Sequence, residues 1–164
     1  MQNAVATDGP PPHHEGARVS DRFQRTRVPA LPTILFADAS EDYRAMARDA
    51  LLEGRNATDL RTVATSAELL AYLERQDAAE GAVTPAPSLI VVDAQIGLEA
   101  IARIKQSTST PVVVLGESGD PEQVKAAYDA GANTYIVKPV TFLALVRLMK
   151  TFTAYWLETA ELPR

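Results

Sequence analysis

From residue 33 onward, short apolar runs alternate with stretches whose apolar residues recur every three or four positions. "TILFA" (33–37) has the uninterrupted apolar pattern of a buried strand. After it, "SEDYRAMARDALLEG" carries Ser40 at a helix N-cap, acids in the first turn, Tyr43, Met46, Ala47, Ala50 and Leu51 on one face, and Gly54 as a stop. The same unit repeats. "DLRTVAT" (59–65) predicts a second strand, and "SAELLAYLERQ" a helix capped by Ser66 with Leu69, Leu70, Tyr72 and Leu73 available for its apolar face. "SLIVVDA" (88–94) and "GLEAIARIKQ" make a third pair, and "PVVVLG" (111–116) a fourth strand. The next helix, "DPEQVKAAYDAG", has Asp120 as N-cap, Pro121 in the first turn and Gly131 at its end. "NTYIVKPV" is a fifth strand. A last helix follows in "TFLALVRLMKTFTAYWLETAELPR", where Leu145, Leu148, Met149, Phe152 and Trp156 share one face.

Strands alternating with helices imply parallel pairing through crossovers, with helices on both faces of the sheet. The expected fold is α/β, a doubly wound five-stranded parallel sheet of order 2-1-3-4-5. Three of its strands terminate in charge: Asp38 after the first, Asp93 at the third and Lys138 after the fifth. In that order the first and third strands flank the point where the winding reverses, which is where such sheets bind ligands. Two carboxylates brought together there repel unless a cation lies between them. Magnesium, a hard ion that favours oxygen ligands and retains water, suits so sparse a site. The Lys138 ammonium then compensates the remaining charge or holds an anionic oxygen.

Composition narrows the field. The chain has 164 residues, 46% hydrophobic and 23% charged, a size that fits one well-buried core with tails. A net charge of −5 without a basic stripe argues against a nucleic-acid face. The absence of cysteine rules out disulfides and thiolate chemistry. No apolar run approaches the roughly 18 residues of a membrane span, so a cytoplasmic protein without membrane contact is expected. Residues 1–31, rich in Pro, Gly and charge, read as a disordered tail. Within it His13 and His14 lack a third ligand, and Arg18, Arg22, Arg25 and Arg27 are read as solvated, with contact to an acidic partner the alternative. No glycine-rich phosphate loop, no Ser/His pair and no histidine occur beyond the tail, so an enzyme on this fold is not expected.

The stretches "ILFADASED", "LIVVDAQ", "PVVVLG" and "AGANTYIVKPV" resemble the receiver domain of two-component response regulators, a flavodoxin-like fold, here over residues 32–150. The resemblance implies that Asp93 is phosphorylated by a sensor histidine kinase, with Lys138 pairing with a phosphoryl oxygen. It implies Mg2+ held by Asp38, Asp93 and the backbone carbonyl of Gln95. Gly116, Tyr135 and Pro139 take the switch positions, with Tyr135 the aromatic that changes rotamer and Pro139 following a cis peptide. The ending, "FTAYWLETAELPR", resembles the arm of stand-alone response regulators paired with phytochromes. Residues 151–164 are then an arm extending the last helix, with Phe152, Tyr155, Trp156, Leu157 and Leu162 contacting a second copy in a homodimer; packing of Trp156 and Leu157 on their own domain is the alternative.

Three departures from the family pattern bear on chemistry. Ala37 stands where an acidic residue usually precedes Asp38, Gly116 stands where Ser or Thr usually ends the fourth strand, and the stretch after Asp93 is shorter than usual. Phosphoryl transfer depends on charge neutralisation and fixed donors, so each loss predicts weakened phosphorylation. The competing reading is a pseudo-receiver, a dimerisation or docking module that works without phosphorylation.

Overall fold

The computed structural model describes residues 31–55, 57–77 and 84–161. Expectations for the first thirty residues, the His13–His14 pair and the arginines included, lie outside the described residues, as does that for Leu162. The elements run β1 (Thr33–Ala37), α1 (Glu41–Glu53), β2 (Asp59–Val63), α2 (Ser66–Asp77), β3 (Leu89–Asp93), a 3-10 turn (Ala94–Ile96), α3 (Leu98–Ser107), β4 (Val112–Gly116), α4 (Pro121–Asp129), β5 (Thr134–Val137), α5 (Phe142–Phe152) and a π-helical segment (Thr153–Thr159). All strand pairs are parallel, in the order β2-β1-β3-β4-β5. The doubly wound expectation holds.

Burial follows from position in that order. β1, β3 and β4 are buried at every residue, because helices cover both their faces, whereas β2 and β5 at the edges are only partly covered. Alternate side chains divide between two cores. Ile34, Phe36, Leu89, Val91, Val113 and Leu115 meet α1 and α5 on one face. Leu35, Ile90, Val92, Val112 and Val114 meet Leu69 of α2, Ile101 and Ile104 of α3 and Ala127 of α4 on the other. Each such fully buried aliphatic side chain contributes about 1.5–3 kcal/mol by leaving water. A one-residue slip in any central strand would exchange the two cores.

The helix ends show where local chemistry was read well and where it was displaced. Ser40 caps α1 by accepting from Tyr43 N at 3.2 Å, and Asp120 caps α4 by accepting from Glu122 N at 3.1 Å. At α2 the cap is Thr65, not Ser66: its Oγ1 accepts from Glu68 N at 3.1 Å, while the Glu68 carboxylate reaches back to Ala64 N at 2.7 Å. The serine is one residue too far inside to serve. Gly54 does close α1, but in a right-handed conformation; Arg55, at φ 56°, makes the left-handed turn. Gly131 takes that role after α4 at φ 101°, where any L side chain would be strained.

The last helix does not continue uniformly into an arm. After Phe152 the winding widens, with Ala160 N donating to Tyr155 O at 2.8 Å and Thr153 Oγ1 donating to Met149 O at 3.1 Å. This loosening lets Trp156 and Leu157 lie against the α1/α5 core, while Tyr155 stays about half exposed.

Candidate functional site

The site grows from strand register. Ala37 pairs with Val92, so the next residue of each strand emerges beside the other, and these are Asp38 and Asp93. Both carboxylates are nearly closed to solvent, at 2% and 5% exposure. Local turns aim them. Ser40 N donates to Asp38 Oδ1 at 2.8 Å, and Gln95 N donates to Asp93 Oδ1 at 2.7 Å as Asp93 caps the 3-10 turn. Arg44 steadies the first of these loops by donating to the carbonyls of Asp38 and Ala39 at 2.6 and 3.1 Å.

Lys138 arrives from two strands away. Its backbone N donates to Gly116 O at 2.7 Å, which fixes it just past β5 beside the end of β4. Strands about 4.8 Å apart put its Cα on the order of 10 Å from β3, a gap closed by the lysine side chain and the aspartate side chains reaching toward it. The ammonium donates to Asp93 Oδ2 and lies 2.6 Å from Asp38 Oδ2. The contact with Asp38 is an ion pair without hydrogen-bond alignment, so Asp38 Oδ2 is a buried oxygen with no hydrogen-bond partner. Burial pulls the Lys138 pKa down, but the two carboxylates outweigh it and the net direction is upward.

That oxygen is the test of metal fit. A buried carboxylate oxygen that meets only one ammonium keeps a lone pair that a hard cation could take up. Among the described residues no group of three or more His, Cys, Asp and Glu side chains could hold a metal, so an ion here would have Asp38 and Asp93 as its side-chain ligands and would need a backbone carbonyl and water to complete its shell. Magnesium tolerates such a shell. The residues present therefore fit the ion, with Asp38 and Asp93 as ligands and Gln95 adjacent.

Three further residues belong to the site, though the sequence pattern assigned them elsewhere or not at all. Tyr43, counted among the apolar positions of α1, stacks against Phe36 at 6.2 Å between ring centroids, lies beneath the Lys138 ammonium and donates its hydroxyl to Pro139 O at 2.9 Å. Its pKa is driven up by burial and then by the charges of Asp38 and Asp93. Glu117, just after β4, accepts from the Gln95 side chain and lines, with Tyr43, Met46, Lys138, Pro139 and Val140, a cleft of about 410 Å3. Arg44 is the third. The available signal was spacing: Tyr43 and Arg44 sit one turn into the helix that follows Asp38.

The residues expected at the switch positions, Gly116, Tyr135 and Pro139, lie at the ends of β4 and β5, and one expectation about them is corrected. Among the described residues there is no cis peptide, so the bond before Pro139 is trans. The turn after β5 is held instead by the Tyr43 hydrogen bond to the Pro139 carbonyl and by the pairing of Lys138 N with β4. Ala37 is fully buried and Gly116 ends β4, next to Val137 of β5. Tyr135 pairs with Val114 and donates its hydroxyl to Ser118 O at 2.7 Å. Of the arm residues, Phe152 is buried in the α1/α5 core, and the Tyr155 and Trp156 rings meet edge to face at 4.9 Å. No helix among the described residues is long and apolar enough to cross a membrane.

Comparison with known proteins agrees with this geometry. Residues 34–150 match the family model of the response regulator receiver domain. Response regulator Rcp1 of Synechocystis sp. is 34% identical over 101 residues, which span 57% of this chain and 67% of Rcp1. The Mn2+-bound form of Rcp1 aligns with a TM-score of 0.68 at 28% identity, covering 81% of this chain and 99% of that one. Response regulator RPA3017, described in red light signaling of R. palustris, aligns at 0.74 with 25% identity over 82% of this chain and 99% of its own. The phosphorylated cyanobacterial phytochrome response regulator RcpA aligns at 0.71 with 29% identity, over 82% and 100%.

Proposed function

The chain belongs to the response regulator receiver family of two-component signalling, and from that premise we propose that Asp93 is its phosphoacceptor, charged by a sensor histidine kinase of phytochrome type. Receivers of this family bind Mg2+ or Mn2+ in the active site; here Asp38, Asp93 and the Gln95 carbonyl would hold the ion. The observation that carries the reading is the single ammonium of Lys138 lying against both buried carboxylates. Likeness to RcpA and Rcp1 supports the kinase type.

Each residue has a task in the transfer. Asp93 supplies the attacking oxygen, oriented by the Gln95 amide. Lys138, still paired with Asp38, supplies positive charge to an oxygen of the incoming phosphoryl group. A bound magnesium ion would neutralise phosphoryl charge at the same place. Tyr43 and Pro139 hold Lys138 in position. Because Ala37 adds no carboxylate, phosphorylation is slower than in receivers that carry an acid at that position. A homodimer through the arm is part of the proposal, and the exposed Tyr155 supports it.

The test is labelling with a small phosphodonor, with and without magnesium, read by intact mass. One phosphate should appear in the wild type with magnesium and none in Asp93→Asn; an unlabelled wild type would sink the reading. A second reading, a docking module that acts without phosphorylation, is favoured by Ala37 and Gly116. No phosphate uptake, together with self-association that is equal in the wild type and Asp93→Asn, would select it.

A further inference from the structure

Gly116 has no side chain, yet the space where one would begin is filled. A Cβ built there would lie 2.8 Å from Cε2 of Tyr135 and nearer still to Cζ and Oη. A phenol from the neighbouring strand thus stands in the side-chain position of residue 116, with its oxygen close to where the first atom of that side chain would be. The hydroxyl donates to Ser118 O at 2.7 Å. With Ala94, Gln95, Glu117 and Asp120, the ring lines a cleft of about 560 Å3 beside the carboxyl ends of β3 and β4. Burial first, then the charges of Asp120 and Asp93, push the phenol pKa up, so the group keeps its proton at neutral pH and lies within the field of Asp93.

We propose that the Tyr135 hydroxyl supplies the phosphoryl group on Asp93 with the hydrogen-bond donor that Gly116 does not carry. This rests on Asp93 being the phosphoacceptor. In the transfer, an Oδ of Asp93 forms a bond to phosphorus as the bond from phosphorus to the donor's leaving atom breaks, a ring nitrogen in a phosphohistidine and the acyl oxygen in acetyl phosphate, and that atom departs with the electron pair. The three other phosphoryl oxygens keep their charge. Lys138 meets one of them, and the Tyr135 O–H turns from the Ser118 carbonyl to another; no proton leaves the tyrosine. A preplaced donor lowers the barrier by stabilising charge on that oxygen. Tyr135 also belongs to β5, so the phosphate would act on the β5 surface through one side chain, without an intermediary at position 116.

The experiment uses the full chain with magnesium and acetyl phosphate, read as the initial rate of mass gain. Tyr135→Phe keeps the ring and removes the donor; its rate should fall roughly 100-fold, with magnesium affinity unchanged and stability lowered by no more than the lost hydrogen bond to Ser118 O. Tyr135→Ala combined with Gly116→Thr clears the ring and restores a hydroxyl at position 116, so its rate should recover from the level of Tyr135→Ala. A wild-type rate in Tyr135→Phe overturns the inference and leaves the Asp93 reading standing. Slow labelling in both Tyr135→Phe and the double variant also overturns it, leaving the tyrosine a packing role. No label on the wild type overturns both readings together.

Discussion

The ammonium of Lys138 rests over the face of the Tyr43 ring, 4.1 Å from its centroid, while the hydroxyl of that ring donates to the carbonyl of Pro139, the next residue along. One side chain from α1 therefore holds both the charge of the fifth strand and the turn that follows it, across a sequence separation of 96 residues. The cation and the ring attract through the ring quadrupole, more strongly where water is scarce.

Tyr43→Phe keeps the ring under Lys138 and loses only the hydrogen bond to Pro139. It should cost about 1 kcal/mol in urea unfolding. Tyr43→Leu loses ring and hydroxyl together and should cost about 2–3 kcal/mol. The phosphodonor labelling rate should fall more in the leucine variant than in the phenylalanine variant, because only the former releases the ammonium.

Tyr43 and Lys138 should also shape the alkaline limb of stability. The pKa of each is raised in the folded chain, that of Tyr43 by burial and by Asp38 and Asp93, that of Lys138 because the two carboxylates outweigh its burial. Folding therefore tightens proton binding at both groups. Their contribution is complete below the unfolded values near 10 and is lost as pH rises through the folded ones. The urea midpoints of the wild type and Tyr43→Phe should keep a constant gap from about pH 7 to 9 and converge above about pH 10. A gap that widens in alkali would contradict the burial of the phenol.

Asp38 Oδ2 is buried and meets only the Lys138 ammonium, in an ion pair without hydrogen-bond alignment. Asp38→Asn keeps the shape and removes the charge. Magnesium affinity, measured by titration calorimetry, should weaken at least about tenfold, the scale of 1.4 kcal/mol. An unchanged affinity would mean that the ion, if bound, uses other groups.

The close fit of Tyr135 over Gly116 predicts strong coupling between the two positions. Gly116→Ala drives a methyl group into the hydroxyl end of the Tyr135 ring and should cost about 1–3 kcal/mol through overpacking. Tyr135→Ala frees the space, so the double variant should be less destabilised than the sum of the singles. A double-mutant cycle on urea midpoints checks this, and additive costs would mean that the ring leaves position 116 freely.

Much of the architecture was legible in the chain because it depends on local pattern. The apolar runs at 34–37, 89–92 and 112–116 suit strands covered on both faces, and alternation with helices then leaves few ways to wind the sheet. Strand ends carrying Asp38, Asp93 and Lys138 pointed to one rim for the same reason. Displacements occurred where two residues of the same chemistry compete. Thr65 and Ser66 can each cap α2, and only the path of the chain leaving β2 selects the threonine.

What the sequence by itself determined is the set of strands and their parallel sense, from hydrophobic period and crossover handedness, and, with the strand order of the family it resembles, the rim where two acids and an amine meet. Tertiary structure alone decided that Tyr43 serves Lys138, that Trp156 and Leu157 turn back onto their own core, and that the ring of Tyr135 takes the side-chain space of Gly116. Those contacts join residues from different elements at distances of a few ångströms. Periodicity along one element carries no information about which side chain of another will fill a space beside it; only packing of the whole fold does.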